Sequence, residues 1–314
     1  MKSRSCVLGL VLILFSAIMV YSQKVDPADR GASHVLLGKV TDAEGFFGVN
    51  FRGDQLIMSR VRIRADKWLK GRGGNTVEFV VEGGTVGDMA MGVSDLPEFS
   101  KGQTVKLHLN KVGNAFEFAE GEVLAEAAAK AGAGGSGGGC CKKLGIWAGF
   151  PVPYYVNPNC NDSVTLPDPL GDIMAGAEEW NGALTYLIFA DTTTCVNAGL
   201  DGQNNVYFCQ SCYKNTGIIA RTYFWYSKRN GQMMEFDIAF YDDWPFYGRG
   251  HEGDCAINNS DGFVLQVIAA HELGHGIGLD HNRCPDSIMY PYATCCATNA
   301  ATAADLNCLL SFYR

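Results

Sequence analysis

The chain has 314 residues, 47% of them apolar and 18% charged, and carries a formal net charge of −8. That length allows two domains of ordinary size, and the composition suits a packed interior. The acidic balance excludes the basic face a nucleic-acid-binding protein needs, so no nucleic acid is expected as a partner.

Residues 1–22 read as an export signal. Lys2 and Arg4 open it, Val7 to Val20 is almost wholly apolar, and Val20-Tyr21-Ser22 sets small residues at a cleavage site. The apolar run is too short for a spanning helix, so no membrane span is expected once the signal is removed. The expected location is extracellular, or periplasmic in a bacterium. Cysteine usage agrees: of the twelve, Cys6 lies in the signal and the remaining eleven fall at or after Cys140. An oxidising compartment would pair most of them, and the odd count leaves at least one over.

Residues 23–124 predict a small all-β domain, a barrel or sandwich, with the β pattern running from about Val35 to Phe118. "VLLGKV", "RVRIRADKWL", "NTVEFVVEGG" and "QTVKLHLNKV" are Val-rich and partly alternating, with Gly or polar breaks between them. A pro-domain, a chaperone and a targeting module are all open roles for it. Residues 125–143 read as an Ala/Gly-rich linker that opens with "AEAAAKAGAGGSGGG".

Residues 144–314 predict an α+β domain, a mixed twisted sheet with an active-site helix and a C-terminal helix. "YYVNP" near Tyr154 reads as a strand. "GDIMAGAEEWNGAL" reads as an amphipathic helix with Ile173, Met174, Ala177 and Trp180 on one side. "GIIARTYFWY" and "EFDIAFYDDW" read as strands joined by "KRNGQ"; the first is either an edge that pairs with extended substrate or an interior strand. "GFVLQVIAAHELGHGIG" reads as a helix ended by glycines, and a last helix starts near Thr302 with Asp305 in its first turn.

The chemistry concentrates in "HELGHGIGLDH", His271 to His281. His271 and His275 are four apart, so on a helix they face one side and can share a metal ion. A catalytic zinc takes three protein ligands plus water, and His281 is the third once Gly278 stops the helix. Glu272 stands beside the first ligand, in reach of a zinc-activated water, as general acid/base for peptide hydrolysis.

The full H-E-x-x-H-x-x-G-x-x-H followed by Met289 is the metzincin signature. "HELGHGIGLDHNRCPDSIMYPY" resembles the matrixin, or matrix-metalloprotease, group. "ADLNCLLSFY", "EFDIAFYDDW" and "AEEWNGAL" are similar to that family's C-terminal helix, the strand before its active-site helix, and its first helix. The likeness spans roughly Tyr154 to Tyr313. It implies a secreted metzincin-like zinc endopeptidase with His271, His275 and His281 as ligands of one catalytic zinc. Glu272 would be catalytic, Met289 the base under the metal, and Asp305 the anchor of the last helix. Pro291 and Tyr292 would line a substrate pocket. Pro291 stands where astacins and serralysins carry Tyr, and Asn282 where astacins carry Glu. The family's structural second zinc is not expected, since His251 is the only other histidine of this part. Calcium is open as a cofactor, but carboxylates such as Asp201 and Asp254 form no readable ligand loop.

The family's cysteine-switch stretch is missing. Cys140 or Cys141 is therefore open as a thiolate that sits on zinc and keeps the enzyme latent. Cys209 and Cys212 read as disulfide partners. Two rival readings stand beside the peptidase. One is a non-catalytic extracellular zinc-stabilised binding protein. The other is a metzincin of another subfamily, with the β-domain as its binding module.

Overall fold

The computed structural model describes residues 32–125, 140–160, 166–182, 184–210, 212, 217–241, 244–251, 253 and 262–313. The expected export signal, the Gly-rich run and Asp254 lie outside them. Seven strands come first: β1 (His34–Val49), β2 (Gln55–Lys70), β3 (Thr76–Glu82), β4 (Gly84–Val86), β5 (Met89–Val93), β6 (Thr104–Val112) and β7 (Ala115–Ala125). Five of them form an antiparallel sheet in the order β3-β2-β1-β6-β7. Period-two alternation sets its faces: in β2, Val61 and Ile63 point inward while Arg60, Arg62 and Arg64 point to solvent. The sheet curls until its two edges meet, and Phe79 of β3 stacks on Phe118 of β7 with centroids 5.4 Å apart. β7 continues past Phe118 to Ala125 because Val123 still packs on that core.

A second sheet has the order β4-β5-β11-β12-β10-β8-β9. Its later strands are β8 (Val152–Val156), β9 (Leu187–Thr192), β10 (Asn205–Cys209), β11 (Ala220–Ser227) and β12 (Met233–Tyr241). β9, β8, β10 and β12 run parallel, and β11 is antiparallel to β12. The boundary near residue 125 therefore divides the chain but not its sheets, since β4 and β5 leave the first sheet and extend the second. β11 is an interior strand; β5 holds its outer side.

Three helices are described: α1 (Pro169–Glu178), α2 (Leu265–Gly276) and α3 (Ala303–Phe312). α1 starts on Asp168, whose side chain accepts from the Gly171 amide, with Pro169 at a position that needs no amide donor. It buries Ile173 and Ala177 toward the sheet, and Trp180 just beyond it, but Met174 is exposed. Those residues, with Phe236, Phe240, Ile268 and Leu273, fill the space between α1, α2 and the sheet.

The other face of the second sheet is also covered. Leu56 and Ile57 of β2 pack on Tyr207, Tyr223, Trp225 and Tyr241. Cover on both faces explains why β11 and β12 are buried almost without alternation and why each carries an apolar run, Tyr223 to Tyr226 and Ile238 to Tyr241. A polar lock crosses the same contact. The Arg52 guanidinium donates to Tyr223 Oη at 2.6 Å and pairs with Asp54 and, at 3.6 Å, with Glu82. Asp54 accepts from the Ala198 amide, and Arg221 on β11 reaches Glu82 at 3.4 Å.

Disulfides join Cys140 to Cys284, Cys141 to Cys308, and Cys209 to Cys212. The latency role open to Cys140 or Cys141 therefore falls. Both sulfurs are spent on stapling the start of the C-terminal part to the loop after His281 and to α3.

Candidate metal centre and catalytic groove

α2 carries His271 and His275 on one side, one turn apart. The helix stops at Gly278, whose φ of +101° is open to glycine and strained for other residues, and a Cβ there would strike the Gly145 carbonyl. The chain then doubles back. Leu279 bridges to Lys143, and His281 returns to face the other two rings. The three Nε2 atoms lie 3.1, 3.2 and 3.2 Å apart.

The opposite ring nitrogens fix the chemistry. His271 Nδ1 is bonded to the Ile288 carbonyl at 2.6 Å and His275 Nδ1 to the Leu279 carbonyl at 2.8 Å. A carbonyl only accepts, so each Nδ1 carries the proton and each Nε2 presents a lone pair. Burial holds both imidazoles neutral, with His275 brought down to about 3 by burial and by His271 beside it. Lone pairs converging at this distance repel unless a cation lies between them. Three nitrogens at about 2.1 Å from a tetrahedral ion stand about 3.4 Å apart, so the triad fits a zinc-sized metal. Among the described residues it is the group of three or more ligating side chains that could hold a metal ion, and no such group includes Asp201.

The support behind the rings is a hydrogen-bonded knot. Met289 is buried, with Sδ against α2 at Gly274. Asp305 accepts from the Ser287 hydroxyl and, at 3.2 Å, from the Ile288 amide, so α3 grips the turn whose carbonyl orients His271. Thr302 and Asp305 complete a capping box at the start of α3. Asn282 is central as well. Its amide donates to the Cys140 carbonyl and the Ser287 hydroxyl, and its carbonyl accepts from the Cys284 amide.

Glu272 is 5% exposed. Its Oε2 accepts from Thr222 Oγ1 on β11 at 2.6 Å, and the nearby Ser94 also favours its ionised form. Burial first, and the nearby Asp95 charge second, push it up to about 8 against those effects. Thr222, Ser94 and Asp95 have no signature in the sequence, because pairing between distant strands brings them here. Beside this acid opens a cavity of about 630 Å³, lined by His271, Glu272, Val267, Ile268, Tyr290, Pro291 and Tyr292, with Asp95 also on its wall.

Residues 201–314 match the profile of the family described as Matrixin. The chain is 53% identical over 30 residues to matrix metalloproteinase-9 of Canis lupus familiaris, covering 10% of this chain and 4% of that protein. It is 31% identical over 80 residues to matrix metalloproteinase-B of Caenorhabditis elegans, covering 25% of this chain and 14% of that protein. The matched stretches thus span well under two thirds of these relatives. The histidine triad lies inside the matched residues, so the C-terminal part of this chain is similar to the matrixin family in the same stretch that carries the candidate metal centre.

Proposed function

We propose that the protein is an exported zinc endopeptidase. Residues 144–314 are its catalytic part, His271, His275 and His281 hold one zinc, and Glu272 is the general acid/base. The observation that carries this reading is three imidazole Nε2 atoms aimed at one point, with a buried carboxyl group on the neighbouring residue of the same helix. Zinc bound there supplies a Lewis acid that polarises the peptide carbonyl and lowers the pKa of water.

The remaining work belongs to the chain. Glu272 takes the proton of the attacking water and returns it to the departing amide nitrogen, so no covalent enzyme intermediate is needed. Thr222 fixes Oε2 and so orients the carboxyl group. The side chain after the cleaved bond enters the cavity walled by Val267, Ile268, Pro291 and Tyr292, which favours an apolar residue there. Gly278, Met289 and Asp305 keep the ligands in place without touching substrate. Extracellular protein or peptide is the substrate class, and the export signal read in residues 1–22 and the paired cysteines support secretion.

The test is zinc content together with cleavage of a mixed peptide library, for the oxidised protein and for Glu272→Gln. Each is assayed with and without Gly92→Leu, a change that should force β5 off β11. Glu272→Gln should keep one zinc and lose roughly 10²–10⁴-fold in rate, the range typical of proton-transfer catalysis. A zinc-stabilised binding protein would hold zinc in every form and cut in none.

A further inference from the structure

β5 lies along the one side of β11 that an incoming peptide would need. Val93 faces Tyr223, Gly92 faces Phe224, Met91 faces Trp225, and the pairing runs on to Met89 against Ser227. The ladder continues past β5: the Ser94 amide donates to the Thr222 carbonyl at 3.0 Å, and the Thr222 amide donates to Ser94 Oγ at 3.1 Å. Thr222 is the residue whose hydroxyl holds Glu272. The next residue, Asp95, lines the cavity together with His271 and Glu272. There the chain turns away, with the Leu96 amide bonded back to the Val93 carbonyl. β5 therefore follows β11 up to the catalytic acid and leaves before it would enter the cavity.

This strand belongs to the groove rather than to the first sheet. The β4–β5 hairpin pairs with β11 and with no strand of the first sheet. Ala90, Met91 and Val93 are buried there. An extended substrate recognised by strand addition uses the same backbone donors and acceptors on β11.

Building on the peptidase reading above, we infer that the N-terminal β region is a built-in inhibitor: β5 takes the place of the substrate strand on β11, and Ser94 and Asp95 stopper the groove at Glu272. The Arg52 lock and the Leu56–Ile57 packing hold the stopper from behind the sheet. Opening the enzyme means withdrawing β5, not changing the metal site.

Gly92 supplies the handle. A Cβ at this position would collide with the Phe224 ring, which is itself buried, so Gly92→Leu must displace either that ring or β5 from β11. The experiment uses the full oxidised chain, wild type and Gly92→Leu, loaded with zinc. It reads peptide-library cleavage together with amide hydrogen exchange in residues 220–227. Wild type should cut slowly with those amides protected. Gly92→Leu should expose those of the amides that face β5, leave those bonded to β12 protected, and cut faster, by about 100-fold if the wild-type groove is open about 1% of the time. Exchange in α2 and β1 reports whether the variant is folded, and Gly92→Ala gives a milder displacement if it is not. Exposed β11 amides with an unchanged, measurable rate would overturn the inference and leave the peptidase intact. Unchanged protection in a folded Gly92→Leu would overturn it too. No cleavage by any zinc-loaded form would sink the peptidase reading, and the inference with it.

Discussion

The two sheets are stabilised by different means. The first is cysteine-free from residue 7 to residue 139 and relies on strand ladders and on a ring cluster of Phe79, Phe99 and Phe118 with centroids 5.4–5.6 Å apart. The second part is stapled, and two of its staples converge on the metal centre, at the loop after His281 and at α3. Covalent rigidity has gone to the side of the molecule that carries the histidine triad. Ordinary packing suffices where a surface has only to dock.

The largest effect should come from the contact between them. Arg52→Met strips a buried guanidinium from Asp54, Glu82 and Tyr223; Glu82 keeps Arg221, but Asp54 loses its buried cationic partner, and breaking such a pair costs about 3–5 kcal/mol. Calorimetry should then split one transition into two, with the second sheet's own transition little changed. A single shifted transition would mean that the sheets do not fold as separable units.

A smaller effect is expected from removing one staple. Replacing Cys141 and Cys308 together by Ser should lower the stability of the C-terminal part by about 2–5 kcal/mol and leave the first sheet's exchange rates alone. Equal loss in both sheets would break the contrast. Smallest is Thr302→Ala, which removes the cap of α3 and one partner of Asp305 at a cost of about 1 kcal/mol. Amide exchange should place that loss in the C-terminal part and not in the first sheet, with a modest weakening of metal binding.

The triad was legible because helical spacing is local: four residues separate His271 from His275, and a glycine stop dictates the return of His281. The start of α3 near Thr302 was equally plain, since a cap and an acid three residues on need no distant partner. What stayed hidden is what depends on contacts across the chain. Nothing near Ser94 or Asp95 announces that they meet Glu272, and nothing near Thr222 announces its hydroxyl bond. One signal was there to be read. The apolar run from Tyr223 to Tyr226 in β11 and that from Ile238 to Tyr241 in β12 imply cover on both faces, and so a layer beyond the helices. Met174 erred the other way: its helical spacing matched the buried face, yet the layer above it ends at Ile173 and Ala177.

The placement of the cysteines has a further consequence. With none between residues 7 and 139, peptide bonds are the one covalent tie between the first sheet and the second. While they are intact, β5 faces β11 at an effective concentration on the order of millimolar. A single cut in the Gly-rich run would turn that into an ordinary bimolecular equilibrium. Escape of the stopper would then depend on how dilute the cleaved protein is. A crowded deposit would stay quiet, and the same molecules would become active as they spread.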